Sequence, residues 1–234
     1  MPPSKYAFFV TGTDTEIGKT LISAALLYSL AQAGIKAAAM KPVAAGIEVR
    51  DGVRINEDIA LLREQAGGAL PEKEMTPYLW DEPIAPHIAA QKHGVVMQSD
   101  VIRRAYLATA QRAEAVIVEG VGGFCVPLSA HENMADVAVA LDLPVVMVVG
   151  LRLGCISHAL LTAQAIRSRG LTLAGWVANV VDPTMPYRDE NIQTLRDAIE
   201  APCLGCVPRL DNPSAKLAAG YLDLSPLEIK IKDT

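Results

Sequence analysis

The stretch Gly12-Thr-Asp-Thr-Glu-Ile-Gly-Lys-Thr20 decides the fold that we expect of this chain. The apolar run Tyr6–Val10 before it has the composition of a buried strand, and Leu21–Leu30 after it carries apolar residues at helical spacing. A strand, a glycine-bearing loop, Gly-Lys-Thr and a helix form the layout of a phosphate-binding loop. Because the first turn of a helix presents unpaired N–H groups and a partial positive charge, the sequence predicts an anion site here.

Three residues at the end of this loop have roles that follow from their chemistry. Gly18 lets the backbone approach phosphate oxygens, Lys19 would reach the terminal phosphates, and the Thr20 hydroxyl would ligate Mg²⁺. The loop also departs from the usual pattern, since five residues instead of four separate its first glycine from Gly-Lys, and it carries Asp14 and Glu16. The alternative interpretation is a strand-to-helix turn with an incidental lysine.

Two charged residues stand at the ends of predicted strands. The strand Ile35–Met40 is followed by Lys41 and stopped by Pro42, and the strand Ala115–Val118 is followed by Glu119. Ligands bind at the carboxyl ends of strands in open α/β sheets, and a carboxylate beside a phosphate loop is the placement of a second magnesium-handling group. The alternatives are a solvated surface lysine and an ordinary strand-end turn.

Further residues fit the same site less specifically. Asp58 stands in the first turn of a helix that is predicted from Asn56 to Gln65, where an acidic residue also complements the helix dipole without any ligand. The glycines after Glu119, at positions 120 and 122, would let the backbone approach a ligand. For Asp58 the residues alone favour the helix-dipole role.

The bulk properties bound the class of protein. The chain has 234 residues, of which 51% are hydrophobic and 20% charged, and its formal net charge is −5. Helical and strand-like segments alternate without a linker, which predicts one α/β domain over residues 1–234. An acidic chain without a basic tract argues against nucleic acid or an anionic membrane as partner. No signal peptide or membrane-spanning run is evident, so we expect a cytoplasmic protein.

The four cysteines do not suggest a disulfide framework in a chain of this length. Cys203 and Cys206 form a single CxxC, which could be half of a metal site or a redox pair. Because no second cysteine or histidine pair lies at ligand spacing, we favour two apolar positions on the last strand.

Four segments taken together resemble one enzyme family. With Gly12–Thr20, Lys41-Pro-Val43, Glu119-Gly120 and Gly175-Trp-Val-Ala-Asn179 all in order, the chain resembles the dethiobiotin synthases of biotin biosynthesis nearly from end to end. The resemblance implies a phosphate-loop NTPase-like fold with a mainly parallel sheet flanked by helices, ATP as co-substrate, Mg²⁺ and a homodimer. It also implies a reaction in which 7,8-diaminononanoate, CO₂ and ATP give dethiobiotin, ADP and phosphate, through a carbamate and a carbamic–phosphoric anhydride.

The resemblance also assigns expected roles to residues of this chain. Lys41 and Lys19 would be catalytic, and Thr20, Asp58 and Glu119 would hold Mg²⁺. The residues expected around the nucleotide are Thr15, Glu16, Ile17, Gly18, Lys19, Thr20, Leu21, Asp58, Glu119, Gly120, Val121, Gly122, Asn179, Val180, Pro208, Arg209 and Leu210. The residues expected to contact the diamine are Lys41, Ala45, Arg152 and Ser157, with residues 151–157 completing the site of a partner chain.

The sequence departs from the family pattern mainly on the diamine side. Ala45 stands where the family often has Ser, Arg152 where Lys is familiar, Ser157 where Asn is, and Asn191 near a Tyr that can touch the substrate carboxylate. The irregular loop is itself a family mark, so we expect the Glu16 backbone to join the phosphate cradle. The Glu16 carboxylate would then support the loop or reach toward the substrate.

Other functions are compatible with parts of the pattern. A nucleotide-switch ATPase that binds a partner protein or DNA, or a related phosphate-loop amidase, would use the same loop. Asn179-Val-Val-Asp182 resembles the spacing of a guanine-reading motif, although the lysine of that motif is missing. The base preference is therefore left open by the sequence.

Overall fold

A computed structural model describes residues 4–67 and 70–229. The ends of the predicted domain, residues 1–3 and 230–234, lie outside the described residues. The strands of the described part are β1 (Tyr6–Gly12), β2 (Ala37–Met40), β3 (Val43–Ala45), β4 (Glu48–Arg50), β5 (Val53–Ile55), β6 (Tyr78–Trp80), β7 (Ala115–Glu119), β8 (Val145–Leu151), β9 (Leu173–Val180) and β10 (Cys203–Val207). The extent of the domain, 1–234, stays a prediction.

Helices separate most of these strands, as the alternating pattern predicts. They are α1 (Lys19–Gln32), α2 (Glu57–Gln65), α3 (Glu72–Met75), α4 (Pro86–Lys92), α5 (Ser99–Ala110), α6 (Met134–Leu141), α7 (Cys155–Ser168), α8 (Arg188–Ala198) and α9 (Ala215–Ala219), followed by a short 3₁₀ turn at Ser225–Leu227.

The main sheet of the described residues is parallel and has the order β10-β9-β8-β1-β7-β2. β1 lies in its middle, with β7 on one side and β8 on the other. Side chains on the two faces of β1 enter two different clusters, since Phe9 packs in one and Val10 in the other. Burial on both faces explains why β1, β7 and β8 are continuous apolar runs. The predicted fold class is confirmed.

The segment from 44 to 56 is polar and contains glycines, so the sequence predicts a loop there, but the segment is structured. β3 pairs with β6 in parallel, and β4 pairs with β5 as an antiparallel hairpin. The turn of the hairpin is Asp51-Gly52, and both residues have positive φ, 52° and 77°. Asp-Gly is a preferred dipeptide for a two-residue hairpin turn because it tolerates that conformation, so the signal was present in the sequence. The prediction of a plain loop is wrong.

The CxxC segment lies on β10, at one edge of the sheet. Cys203 and Cys206 are half-buried, and both pack against the same hydrophobic cluster as Phe9. All four cysteines are free thiols. Among the described residues no group of three or more His, Cys, Asp or Glu side chains could hold a metal ion. The two cysteines therefore occupy apolar positions on this strand, as predicted.

Candidate functional site

The phosphate-binding loop joins the end of β1 to the start of α1. Gly18, directly before α1, has φ +85°. A Cβ at this position would lie 2.3 Å from Nδ2 of Asn179, which is far inside van der Waals contact. Both the backbone conformation and the close approach therefore require glycine here. The Nδ2 group of Asn179 donates a hydrogen bond to the Ile17 carbonyl at 2.8 Å, so β9 supports the loop from behind.

Lys19 begins α1 and points back across this loop. Its ammonium donates to the backbone carbonyl of Asp14 at 2.8 Å, and the side chain is buried. Burial, and after it the nearby ammonium of Lys41, lowers the pKa of Lys19 from 10.5 to about 8. An anion bound in front of the loop would reverse that shift, because it favours the charged form of the lysine.

Lys41 and Glu119 follow from the register of neighbouring strands. Met40 of β2 pairs with Val118 of β7, so the next residues, Lys41 and Glu119, reach the same carboxyl edge of the sheet. The Lys41 ammonium lies 2.5 Å from Oε1 of Glu119, and both side chains are buried. The sequence predicts that each residue ends a strand, and the pairing of β2 with β7 in the structure makes them neighbours.

Asp58 and Thr20 complete a four-membered cluster. The Thr20 hydroxyl lies 2.7 Å from Oδ1 of Asp58 and 2.8 Å from Oε1 of Glu119. The second Asp58 oxygen, Oδ2, accepts from the Lys41 ammonium at 2.8 Å. One ammonium, two carboxylates and one hydroxyl thus converge beside the first turn of α1. We call Thr20, Lys41, Asp58 and Glu119 the inner cluster.

The charges of the inner cluster stabilise one another. Burial alone would lower the pKa of Lys41, but Glu119 and Asp58 more than offset it and raise the pKa above 10.5. Burial would raise the pKa of Asp58, yet the Lys41 ammonium and the Thr20 hydroxyl hold it below its ordinary value. At neutral pH Lys41 is therefore an ammonium and Asp58 a carboxylate.

A cavity of about 740 Å³ opens in front of the inner cluster. Of the residues predicted to contact nucleotide, metal or diamine, its walls contain Thr15, Glu16, Gly18, Lys19, Thr20, Lys41, Ala45, Asp58, Glu119, Val121 and Gly122. The sequence analysis missed the apolar part of the wall, which consists of Ala44, Val126 and residues 83–86. The two prolines at 83 and 86 indicate an irregular segment in the sequence, but not where it packs.

The remaining predicted residues lie outside these walls. Ile17, Leu21 and Gly120 flank the cavity along the chain, and Asn179 and Val180 are buried at the end of β9. Pro208 and Leu210 are half-buried and Arg209 is exposed after β10. The predicted diamine contacts Arg152 and Ser157 are exposed, and Asn191 is half-buried on α8.

Two charged residues, Arg152 and Glu16, lie at the phosphate loop. Arg152 forms an ion pair with Asp14 of the phosphate loop. Glu16 is exposed in the wall of the cavity with φ 54°, and its carboxylate makes no hydrogen bond within residues 4–67 and 70–229. Support of the loop through a side-chain bond is therefore not observed, and a role toward the substrate stays a prediction.

The residues present fit a magnesium ion. Three members of the inner cluster, Thr20, Asp58 and Glu119, offer oxygen ligands, as Mg²⁺ prefers. The second oxygen of Glu119, Oε2, is buried and has no hydrogen-bond partner in the part of the chain that the structure describes. A buried carboxylate oxygen without a partner is costly unless a ligand satisfies it.

Comparisons with known proteins show the family of the chain. The chain matches the family model described as AAA domain over residues 6–216. It is 55% identical over 225 residues to a protein of Ralstonia nicotianae named ATP-dependent dethiobiotin synthetase BioD, covering 96% of this chain and 98% of the relative. A protein of the same name from a Janthinobacterium species is 55% identical over 223 residues, covering 94% of each chain.

Solved structures share the fold at low sequence identity. A ParA family ATPase from Chlorobium tepidum superposes with a TM-score of 0.55 at 14% identity, covering 98% of this chain and 95% of that one. A chain of the MinC:MinD cell division complex from Aquifex aeolicus gives a TM-score of 0.53 at 16% identity, covering 94% and 87%. At such identities the likeness concerns the fold alone. No helix in the described residues is long and apolar enough to cross a membrane.

Proposed function

The chain belongs to the family of ATP-dependent dethiobiotin synthetases, and we propose that the inner cluster and the phosphate loop carry out its reaction. The substrates are 7,8-diaminononanoate, CO₂ and ATP. One amine takes up CO₂ as a carbamate, and a carbamate oxygen attacks the γ-phosphate to give a carbamic–phosphoric anhydride and ADP. The second amine then closes the cyclic urea and expels phosphate. The observation that carries this proposal is the pair of buried lysines, Lys19 and Lys41, beside two carboxylates in one cavity.

Thr20, Asp58 and Glu119 would hold Mg²⁺. When bound, the ion would supply positive charge to the β- and γ-phosphate oxygens. Lys41 lies within 2.8 Å of both carboxylates, so it and a metal ion would share the same two partners. Lys41 and the metal ion would then both neutralise the carboxylates of Asp58 and Glu119.

Lys41 would act as a fixed positive charge. Its raised pKa keeps it protonated at neutral pH, so it is suited to hold an anionic carbamate and the transferring phosphoryl group and not to accept a proton. Lys19 would neutralise the terminal phosphates from the other side. Phosphoryl transfer needs positioning and charge stabilisation more than covalent chemistry from the protein, and two lysines aimed into one cavity provide both.

The nucleotide would extend from the loop toward the end of β9. The loop residues Thr15 to Leu21 would surround the phosphates, together with residues 120–122 after β7. Asn179 and Val180, with Pro208, Arg209 and Leu210 after β10, would line the base. Support for this assignment is the hydrogen bond from Asn179 to the Ile17 carbonyl, which links the proposed base site to the phosphate loop.

The diamine would lie against Lys41 and Ala45, and a second copy of the chain would complete its site with Arg152 and Ser157. Support comes from the start of α7 and the loop before it. Ser157 and Leu161 are spaced by four residues within α7 and so share one helix face. Leu161 has an exposed fraction of 62%, and Leu153, in the loop directly before the helix, has one of 92%. We call Leu153, Ser157 and Leu161 the α7 face. A homodimer in the cytoplasm is part of the proposal.

Turnover with the diamine tests the proposed function. The full-length protein is given ATP, Mg²⁺, bicarbonate and 7,8-diaminononanoate, and the cyclic urea and phosphate are followed together. We expect both products to depend on the diamine, and Lys41→Ala to remove product formation while much nucleotide binding is retained. Lys36→Ala, at the exposed amino end of the same strand, is the matched control. Phosphate release at the same rate with and without the diamine, and no formation of cyclic urea, would contradict the proposal and favour a nucleotide-switch ATPase.

A further inference from the structure

Asn56 lies at the joint between the β4–β5 hairpin and α2. Its side-chain oxygen accepts a hydrogen bond from the Ile59 N–H at 3.1 Å, which caps the amino end of α2. Its Nδ2 group donates to two backbone carbonyls, of Ala45 at 3.1 Å and of Gly46 at 2.7 Å. Since a side-chain amide has two N–H donors and one carbonyl, both donors and the acceptor are used.

The Asn56 side chain connects two segments that both line the cavity, the start of α2 and the end of β3. Asp58 stands in the first turn of α2, directly before the residue whose N–H is capped, and its carboxylate contacts Thr20 and Lys41. Ala45 is the last residue of β3 and lines the same cavity as Asp58. A side chain that binds both backbones fixes the distance between them.

Capping alone does not explain an amide at this position. Ser, Thr and Asp cap helices about as well as Asn, because each offers the oxygen that the cap requires. Only Asn among them also offers two N–H donors on a short side chain. The carbonyls of Ala45 and Gly46 use those two donors, so the function of the amide extends beyond α2.

We propose that Asn56 is a positioning residue for Asp58. It holds the first turn of α2 against the end of β3, and thereby sets where the Asp58 carboxylate stands relative to Thr20, Glu119 and the diamine wall. The inference rests on the proposed function, in which Asp58 is a magnesium ligand. Residues that orient metal ligands change metal affinity by about 10- to 100-fold when they are replaced.

The test separates the hydrogen bonds from Asn56 to the Ala45 and Gly46 carbonyls from the hydrogen bond that caps α2. Asn56→Ser keeps a capping oxygen and removes the amide that donates to the Ala45 and Gly46 carbonyls. The matched control is Asn133→Ser at the start of α6, where the asparagine oxygen caps Ala135 and Asp136. Mg²⁺-dependent binding of a non-hydrolysable ATP analogue is measured by calorimetry, and the Mg²⁺ concentration for half-maximal turnover is measured with the diamine. Thermal unfolding of both variants is recorded in parallel.

We expect Asn56→Ser to raise the half-saturating Mg²⁺ concentration about tenfold or more in both measurements, and Asn133→Ser to leave it unchanged. Wild-type Mg²⁺ dependence in a folded Asn56→Ser protein overturns the inference, whatever its thermal stability. Asn56→Thr, which also keeps the cap, takes its place if the serine variant does not fold. A wild-type protein without diamine-dependent turnover would instead contradict the proposed function, which distinguishes the two failures.

Discussion

The inner cluster and the α7 face differ in how far one chain completes them. Each member of the inner cluster is hydrogen-bonded to at least one other member, and Lys41 and Glu119 are buried. On the α7 face, Ser157, Leu153 and Leu161 are exposed. Both regions lie at the carboxyl edge of the same sheet, yet only the first is organised within a single chain.

The difference corresponds to two tasks in the proposed function, the binding of phosphate and metal ion and the binding of the diamine. Phosphate and metal ion need charges held in fixed positions, and fixed buried charges require a network that satisfies them before the ligand arrives. The exposed α7 face would acquire its partners from a second chain instead. The departures from the family pattern at Arg152 and Ser157 lie on this open side, while the residues proposed to hold phosphate and metal match that pattern.

The largest expected effect is in the inner cluster. Glu119→Gln removes the buried negative charge that faces both the Lys41 ammonium and the Thr20 hydroxyl, and with it one proposed magnesium ligand. Removing one preorganised electrostatic contact from an active site lowers turnover by about 100- to 1,000-fold. We expect a loss of that size in the rate of cyclic urea formation at saturating ATP.

The matched control for Glu119→Gln lies directly before β7, at the opposite end of that strand. Glu114→Gln changes an exposed carboxylate that accepts from the Lys36 N–H just before β7. We expect turnover within about twofold of wild type, because Glu114 is exposed outside the cavity and a surface substitution of this kind leaves the fold nearly unperturbed. Equal losses in both variants would show that the inner cluster has no special importance for the reaction.

The second prediction concerns the burial of Lys19. Its folded pKa of about 8 lies below the ordinary 10.5, so the unfolded chain binds more protons between these values. The free energy of unfolding of the metal- and nucleotide-free protein therefore gains from this group as pH rises from 8 to 10.5, by about 3 kcal/mol. Below pH 8 Lys19 is protonated in both states, and its contribution stays constant.

Chemical denaturation from pH 7 to 10.5 checks this sign. Lys19→Met lacks the titrating group, so its stability should exceed that of wild type most at pH 7, and the difference should shrink toward pH 10.5. Lys36→Met, which replaces an exposed lysine, should follow the wild-type curve. A constant difference between Lys19→Met and wild type would contradict the lowered pKa.

The sequence predicted the inner cluster better than its surroundings because strand ends are local signals. Continuous apolar runs located β1, β2 and β7, and parallel pairing then places the residues that follow them at one edge. The contact between Thr20 and Glu119 joins residues 99 positions apart, because the pairing of β1 with β7 brings the start of α1 next to the end of β7. The sequence does not distinguish a ligand role for Asp58 from the favourable interaction of a carboxylate with the helix dipole.

The apolar wall of the cavity could not be predicted in the same way. Residues 83–86 reach it because the short strand β6 pairs with β3, and three-residue strands carry almost no periodic signal. The exposed α7 face was predicted only through the family resemblance. The sequence does not reveal that its two leucines are exposed, and their exposure in the structure supports the proposed contact with a second chain.

The third prediction tests whether the α7 face is completed by a second copy. Leu161→Asp places a charge on this face, and we expect it to shift the protein toward monomer in sedimentation experiments. Turnover per chain should fall about tenfold, the equivalent of about 1.4 kcal/mol, while ATP binding is retained because the inner cluster is unchanged. Leu217→Asp on α9 has a similar exposed fraction, 51%, and serves as control. Wild-type sedimentation of Leu161→Asp would remove this face from the proposed interface.

The smallest expected effect lies at the border between the two regions, where Arg152 meets Asp14. The two side chains are 47% and 35% exposed, and an exposed ion pair contributes at most about 1 kcal/mol. We therefore expect Arg152→Ala to change the KM of ATP by less than about fivefold, although Asp14 also accepts the Lys19 ammonium through its backbone carbonyl. Arg152→Lys should retain the ion pair and the wild-type KM.

The KM of the diamine decides which region Arg152 serves. If the residue contacts the substrate, Arg152→Ala raises the KM of the diamine by more than that of ATP, and this is the result that we expect from the proposed site. Arg169→Ala, which breaks a comparably exposed pair with Asp136, should change neither constant. An increase confined to the KM of ATP would instead assign Arg152 to the phosphate loop. The open side would then lose its one proposed cation, and the substrate carboxylate would need another partner, because an anion held at an interface requires a matching charge or hydrogen-bond donors.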